Sequence, residues 1–210
     1  MSGGEGPAGA GVGPAGLRAA PGIVIPDYEP RVFVAIALDP ELRYSLAAHL
    51  RANLAGEQLP GRTSPAENWH ITLRFVGKVS QTDYEKLLAK LDDADLGSGF
   101  ALGFAGLGAF PKPARATVLW LGVDRGADEL SRLAAVVEEA TVSAGFIPEE
   151  RPFHPHLTLS RLRPPRDVRP FIEEVPVFPL SQTVDHVTVF ESHLGRAPAV
   201  YAPLERFALS

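Results

Sequence analysis

Cysteine is absent from the chain, which excludes disulfide bridges and thiolate-bound metal and fits a reducing compartment. Long apolar runs are missing as well. No segment approaches the roughly twenty uninterrupted apolar residues of a membrane-spanning helix, and the first residues show no basic patch followed by an apolar signal core. A cytoplasmic address with no membrane partner is the expectation. Positive charge is also in short supply: 20 Lys and Arg stand against 25 Asp and Glu, a net charge of -5. This disfavours a broad basic surface that grips a long duplex. Any nucleic-acid substrate is expected to be held locally, by a few arginines around one phosphate.

What the chain does have is enough apolar material, 45% of 210 residues, for one substantial core or for two small lobes sharing an interface. The first thirty residues stand apart. Their Gly, Ala and Pro content, with GGEGPAGAGVGPAG at 3–16, cannot bury the apolar area needed to offset ordering entropy, and residues 1–30 read as a disordered tail. The folded part, residues 31–210, opens on an apolar strand, VFVAIAL at 32–38. Asp39 then Pro40 predicts a helix start with the Asp39 carboxylate as cap, running to about Leu54.

Tyr84, Leu87, Leu88 and Leu91 recur at helical spacing behind a Ser80/Asp83 capping box, predicting a second helix over 80–93. Leu130, Leu133, Ala134 and Val137 predict a third over 127–144, stopped by Gly145. Strand patterns cover 100–105, 117–123, 157–160, 184–190 and 201–209. Strands interleaved with three helices, without strict alternation, indicate an α+β fold with largely antiparallel sheets. Gly103, Gly106 and Gly108 approach a dinucleotide-binding fingerprint, but with the wrong spacing and no helix before Pro111.

Two segments carry chemistry: NWHITLRFVG at 68–77 and FHPHLTLSR at 153–161. Each holds His-x-Thr-Leu in a strand pattern. Alternation puts His70, Thr72 and Arg74 on one face, against Trp69, Ile71, Leu73 and Phe75 on the other; in the second segment His156, Thr158 and Ser160 share a face, with Leu157 and Leu159 on the buried side. One such histidine is commonly incidental. Two copies in the same setting suggest related lobes placed face to face, with two imidazoles in one cleft. Imidazole gives or takes a proton near neutral pH, so a pair flanking a phosphodiester can activate water and protonate the departing oxygen. The threonine hydroxyls can donate to oxygens where charge accumulates. Zinc is the competing chemistry, but no further His, Asp or Glu stands at ligand spacing from either segment, so neither metal nor cofactor is expected.

These segments resemble the 2H phosphoesterases, specifically the RNA 2′,3′-cyclic phosphodiesterases first described as 2′-5′ RNA ligases. The resemblance runs from about Arg31 to Leu209 and also takes in RVFVAIAL, LGAFPKPARATVLWLGV, VTVFESHL and YAPLERF. It implies a bilobal α+β fold with a pseudo-twofold axis, two sheets lining a central cleft and helices outside. It further implies His70 as proton donor, His156 as acceptor, Thr72 and Thr158 on the phosphate, and Arg161 on phosphate or ribose. By alternation Arg161 falls with Leu157 and Leu159, so it reaches the cleft only where the strand ends or bulges.

Phe153 and His154 can stack on a base, with Phe153 equally suited to packing, and Arg74 can extend the phosphate site. His49, His186 and His193 read as structural, although His186-x-Thr188 repeats the tripeptide. The expected substrates are RNA ends or small cyclic-phosphate nucleotides, acted on by a monomer. The rival readings are 2′-5′ ligation as the main activity and RNA-end binding without turnover.

Overall fold

A computed structural model describes residues 29–54, 58–193 and 199–210. The tail reading therefore falls mostly outside the described residues. Glu29 and Pro30 are described and attached: the Pro30 carbonyl accepts from the Val79 amide at 3.0 Å, and Glu29 meets Lys78 at 3.4 Å.

The chain runs β1 (Arg31–Ala37), α1 (Pro40–Asn53), β2 (Arg62–Thr63), β3 (His70–Lys78), α2 (Gln81–Asp92), β4 (Phe100–Phe110), β5 (Ala116–Val123), α3 (Ala127–Ser143), β6 (His156–Arg166), α4 (Arg169–Glu174), β7 (Ser181–Val184), β8 (His186–His193) and β9 (Val200–Ala208). All strand pairs are antiparallel. One sheet has the order β3-β1-β8-β9 and the other β2-β6-β5-β4-β7. This is the α+β architecture with two antiparallel sheets that the pattern predicts.

Setting the short β2 aside, the sheets map onto each other strand for strand: β3 onto β6, β1 onto β5, β8 onto β4 and β9 onto β7. Each half contains a strand, a helix and an antiparallel return strand that begins with a motif histidine: β1-α1-β3 and β5-α3-β6. The strands that follow are exchanged. β4 comes after the first unit but joins the second sheet, and β8 and β9 come after the second unit but join the first. One hydrophobic cluster, including Ile36, Leu46 and Ile71 of one half and Leu119, Leu130 and Leu157 of the other, runs through both.

The helix starts show which local signals count. The Ser80 hydroxyl accepts from the Asp83 amide at 3.1 Å, as the capping pattern predicts. Gly145 takes φ +102° just beyond α3, where a Cβ would strain the backbone. Asp39 differs: its side chain makes no cap bond, and its own amide donates to Gln182 Oε1 at 2.9 Å. Gln182 Nε2 in turn donates to the Ala37 carbonyl at 3.0 Å. A residue of β7 thus satisfies the turn between β1 and α1, a long-range pairing that no local pattern announces.

Other boundaries also shift. β4 continues through its glycines to Phe110, and β6 runs past Ser160 to Arg166. The predicted strand at 184–190 is two, broken at Asp185 as the chain passes from one sheet to the other. The short α4 carries no apolar repeat long enough to read. No helix among the described residues is long and apolar enough to cross a membrane.

Candidate active site

The first residues of β3 and β6 bring the two motifs to one cleft, lined by His70, Thr72, His156, Thr158 and Arg161 among others. The imidazoles are held alike. His70 Nδ1 lies 2.6 Å from the Asn68 carbonyl oxygen, and His156 Nδ1 lies 2.7 Å from the His154 carbonyl oxygen. A carbonyl only accepts, so each Nδ1 carries the hydrogen and each Nε2 is left with its lone pair when the ring is neutral. The same bond, two residues upstream in both strands, orients both rings. Asn68 is fixed in turn: its side-chain amide donates to the Ala199 carbonyl at 2.6 Å.

Aromatic rings wall each imidazole. Phe33, Tyr201 and Phe190 stand 4.8, 5.2 and 6.2 Å from His70, centroid to centroid. Phe110 and Trp120 stand 5.1 and 6.2 Å from His156. Trp120 lies across Gly108, where an added Cβ would come within 2.1 Å of the indole. That close approach, not phosphate binding, accounts for the glycine.

Loss of water among these rings pushes the His70 pKa down to about 4, with the charges of Arg161 and His156 acting in the same direction. Burial likewise lowers His156, helped by His154 and Arg161. Both rings are therefore neutral at pH 7 in the free protein.

This burial has a measurable consequence for stability. The folded values lie below the unfolded value of about 6.5, so the unfolded chain takes up protons first. Stability is flat above that pH and falls as the pH drops towards 4, by up to about 1.4 kcal/mol per unit through His70, with His156 acting in the same direction. Denaturant melts from pH 7 to 4.5 should show this decline, and His70→Gln should flatten it. An unchanged slope in the variant would remove burial as the cause.

The pairing register resolves what alternation left conditional. Between β1 and β3, Val34 faces Arg74 while the next residue, Ala35, faces Thr72. Between β5 and β6, Leu119 faces Ser160 while Trp120 faces Thr158. Each motif strand therefore bulges by one residue, at Leu73 and at Leu159, and the alternation inverts beyond it. Arg161 thus reaches the cleft, as a bulge requires. Arg74 and Ser160 do not share the polar face and turn inward. Ser160 is fully buried, with Oγ unpartnered.

Arg74 is 8% exposed, with Nε 2.6 Å from Glu138 Oε2, and it donates to the Ile147 carbonyl. It borders the same cleft, but its guanidinium is taken up in securing α3 and the segment leading to β6. Phe75, the pseudo-twofold counterpart of Arg161, is 55% exposed, lines the cleft and stands 6.0 Å from Phe33.

Phe153 lines the cleft and also packs against the core. His154 is exposed, with its ring 5.3 Å from Phe110 and 5.1 Å from Trp120. The tripeptide at His186 does not join the site: His186 Nδ1 pairs with Asp185 at 2.5 Å, and Thr188 is 1% exposed. His49 Nε2 lies 2.9 Å from the Pro176 carbonyl oxygen, and His193 Nε2 lies 3.5 Å from Glu191. Sequence reasoning missed Asn68 and the walls formed by Phe33, Phe110, Trp120 and Tyr201. Their motif neighbours carry the signal; their convergence does not appear in any local pattern. Among the described residues, no three His, Asp or Glu side chains gather as a metal site would require.

Comparison with known proteins agrees with this geometry. The family model of the 2'-5' RNA ligase superfamily matches residues 38–196. The RNA 2',3'-cyclic phosphodiesterase of Escherichia coli K12 is 34% identical over 180 residues, covering 86% of this chain and 97% of that one. The protein of the same name from Aeropyrum pernix is 42% identical over 121 residues, covering 58% and 68%. The crystal structure of E. coli LigT complexed with 3'-AMP superposes with a TM-score of 0.70 at 31% identity, covering 87% of this chain and 99% of that one. With both histidine motifs inside the matched span, the chain belongs to the 2'-5' RNA ligase superfamily of 2H phosphoesterases.

Proposed function

We propose that this chain hydrolyses RNA 2′,3′-cyclic phosphate ends to 2′-phosphomonoesters. The observation that carries this reading is the symmetric pair of imidazoles lining one cleft, each with Nδ1 tied to a backbone carbonyl, which leaves Nε2 for the chemistry. Relatives named RNA 2',3'-cyclic phosphodiesterase support the substrate. Neutral His156 takes a proton from water as its oxygen attacks phosphorus. Protonated His70 gives a proton to the departing 3′ oxygen. The products are a 2′-phosphomonoester and a free 3′-hydroxyl, and the two rings regain their starting states by exchange with solvent.

Burial keeps both rings neutral in the free protein, so His70 acquires its proton as the anionic phosphodiester enters and favours the charged ring. Thr72 and Thr158 donate to the non-bridging oxygens, and Arg161 neutralises the phosphate charge. Phe153 borders the substrate from the second lobe. Residues 31–210 work as one bilobal unit, because the two halves of the site come from opposite sheets. A monomer then suffices, and the lack of cysteine supports a cytoplasmic address.

Incubation with a nucleoside 2′,3′-cyclic phosphate should yield the 2′-monoester, at a rate unchanged after EDTA treatment and dialysis, as phosphorus NMR would show. Recovery of intact cyclic substrate would leave binding without turnover. Activity that is lost on chelation and returns only with added zinc would overturn the metal-independent mechanism. Ligation, the reverse reaction on the same histidines, is expected to be minor with water as solvent.

A further inference from the structure

In β2 and β6, Arg62 is the direct cross-strand partner of Arg161. Directly opposed residues in an antiparallel pair share a face, with Cβ atoms about 5 Å apart, and like charges there are destabilising. Beyond the bulge, alternation about the fully buried Leu162 puts Arg163 on the same open side as Arg161. All three arginines are exposed. Two other exposed arginines nearby are neutralised, Arg151 by Glu149 at 3.1 Å and Arg169 by Asp167 at 2.6 Å, whereas Arg31 in the cleft lining and Arg166 at the end of β6 are exposed without an ion pair among the described residues. Arg62, Arg161 and Arg163 have no ion-pair partner among the described residues.

In a chain of net charge -5, three uncompensated guanidinium groups on one patch of sheet are a local cost that an anion would relieve. The patch is also placed relative to the cleft. Arg161 lines it and is close enough for its charge to act on both imidazoles. Arg62 lies across the ladder from it and Arg163 two residues further along, so both lead outward from the histidines.

We propose that Arg62 and Arg163, continuing from Arg161, form a track for the phosphodiester upstream of the cyclic end, so that the preferred substrate is an RNA oligomer rather than a mononucleotide. This rests on the cyclic-phosphate reading of the cleft. A mononucleoside cyclic phosphate has nothing for the track to hold, whereas an oligomer places its next phosphates there. Guanidinium suits them, because its planar fork bonds two phosphate oxygens at once. Contacts of this type fix position without reading sequence, so selectivity for length rather than base is expected.

The test compares a nucleoside 2′,3′-cyclic phosphate with a hexanucleotide ending in the same group, on wild type and on the Arg62→Gln/Arg163→Gln variant, with thermal melts confirming its fold. Wild type should favour the hexanucleotide in kcat/KM by at least tenfold. The variant should lose most of that preference while its rate on the mononucleotide stays within twofold. In wild type, the logarithm of kcat/KM should fall more steeply with log salt for the hexanucleotide, by roughly 0.7 per phosphate contact. Equal losses on both substrates, or equal salt slopes, would overturn the track.

Fluorescence anisotropy with a labelled hexanucleotide ending in a 3′-phosphate tests the track without turnover. If neither cyclic substrate is hydrolysed but this oligomer still binds about tenfold more weakly to the variant, the catalytic reading fails and the track stands. Equal binding to both proteins would sink the track alone.

Discussion

Replacing either His70 or His156 by Ala is expected to slow cyclic-phosphate hydrolysis by roughly a hundred- to ten-thousand-fold, the usual share of one general acid or base. On the proposed mechanism the double variant should be far less than multiplicatively worse, because groups that act as a unit are strongly non-additive. With one ring working neutral and the other charged, as proposed, the rate should rise and then fall with pH. In kcat/KM, which reports the free enzyme, both arms should lie below pH 6.5, because burial lowers both rings.

An aryl phosphodiester with a good leaving group separates the roles. His70→Ala should recover much of its rate on such a substrate, because little protonation is needed there, and His156→Ala should not. The reverse pattern would exchange donor and acceptor within the same mechanism. Full activity in either single variant on the cyclic substrate would end the two-histidine reading.

The threonines carry the second large effect. Thr72→Val and Thr158→Val keep the side-chain shape and delete one donor lining the cleft, which on the proposed mechanism should cost roughly a hundredfold in kcat each. Thr188 supplies an internal control, since it sits in the third copy of the tripeptide but is buried with its hydroxyl unpartnered. Thr188→Val should leave turnover within twofold and leave stability equal or higher, because it removes an unsatisfied polar group. Wild-type rates in both cleft variants would take the threonines out of the mechanism. A large loss at Thr188 would mean that the motif's location, not its sequence, has been misjudged.

The helices were legible because each is long enough to repeat its apolar spacing several times. Leu42, Leu46 and Leu50 of α1, Leu87 and Leu91 of α2, and Leu130, Leu133 and Val137 of α3 are all buried. The two His-x-Thr segments were legible as half-buried strands for the same reason at period two, and their duplication pointed to paired lobes. Neither pattern contains the bulges. Leu73 and Leu159 look like ordinary inward residues in the sequence. Only the ladder with β1 or β5 shows that each is an extra residue, so that beyond it Arg74 and Ser160 turn to the core while Phe75 and Arg161 turn to the cleft.

Asp39 shows the same limit in a cap. Its amide found a partner 143 residues away in Gln182, where local rules supplied only its own carboxylate. Residue types and their spacing by themselves determined which groups can exchange protons and which faces are apolar up to the first irregularity, because alternation and helical period are properties of the local backbone. Tertiary structure alone decided which side chains meet beyond the bulges, how dry the histidines are and that three arginines share one patch. Register, desolvation and field depend on distance in space, which sequence separation does not encode.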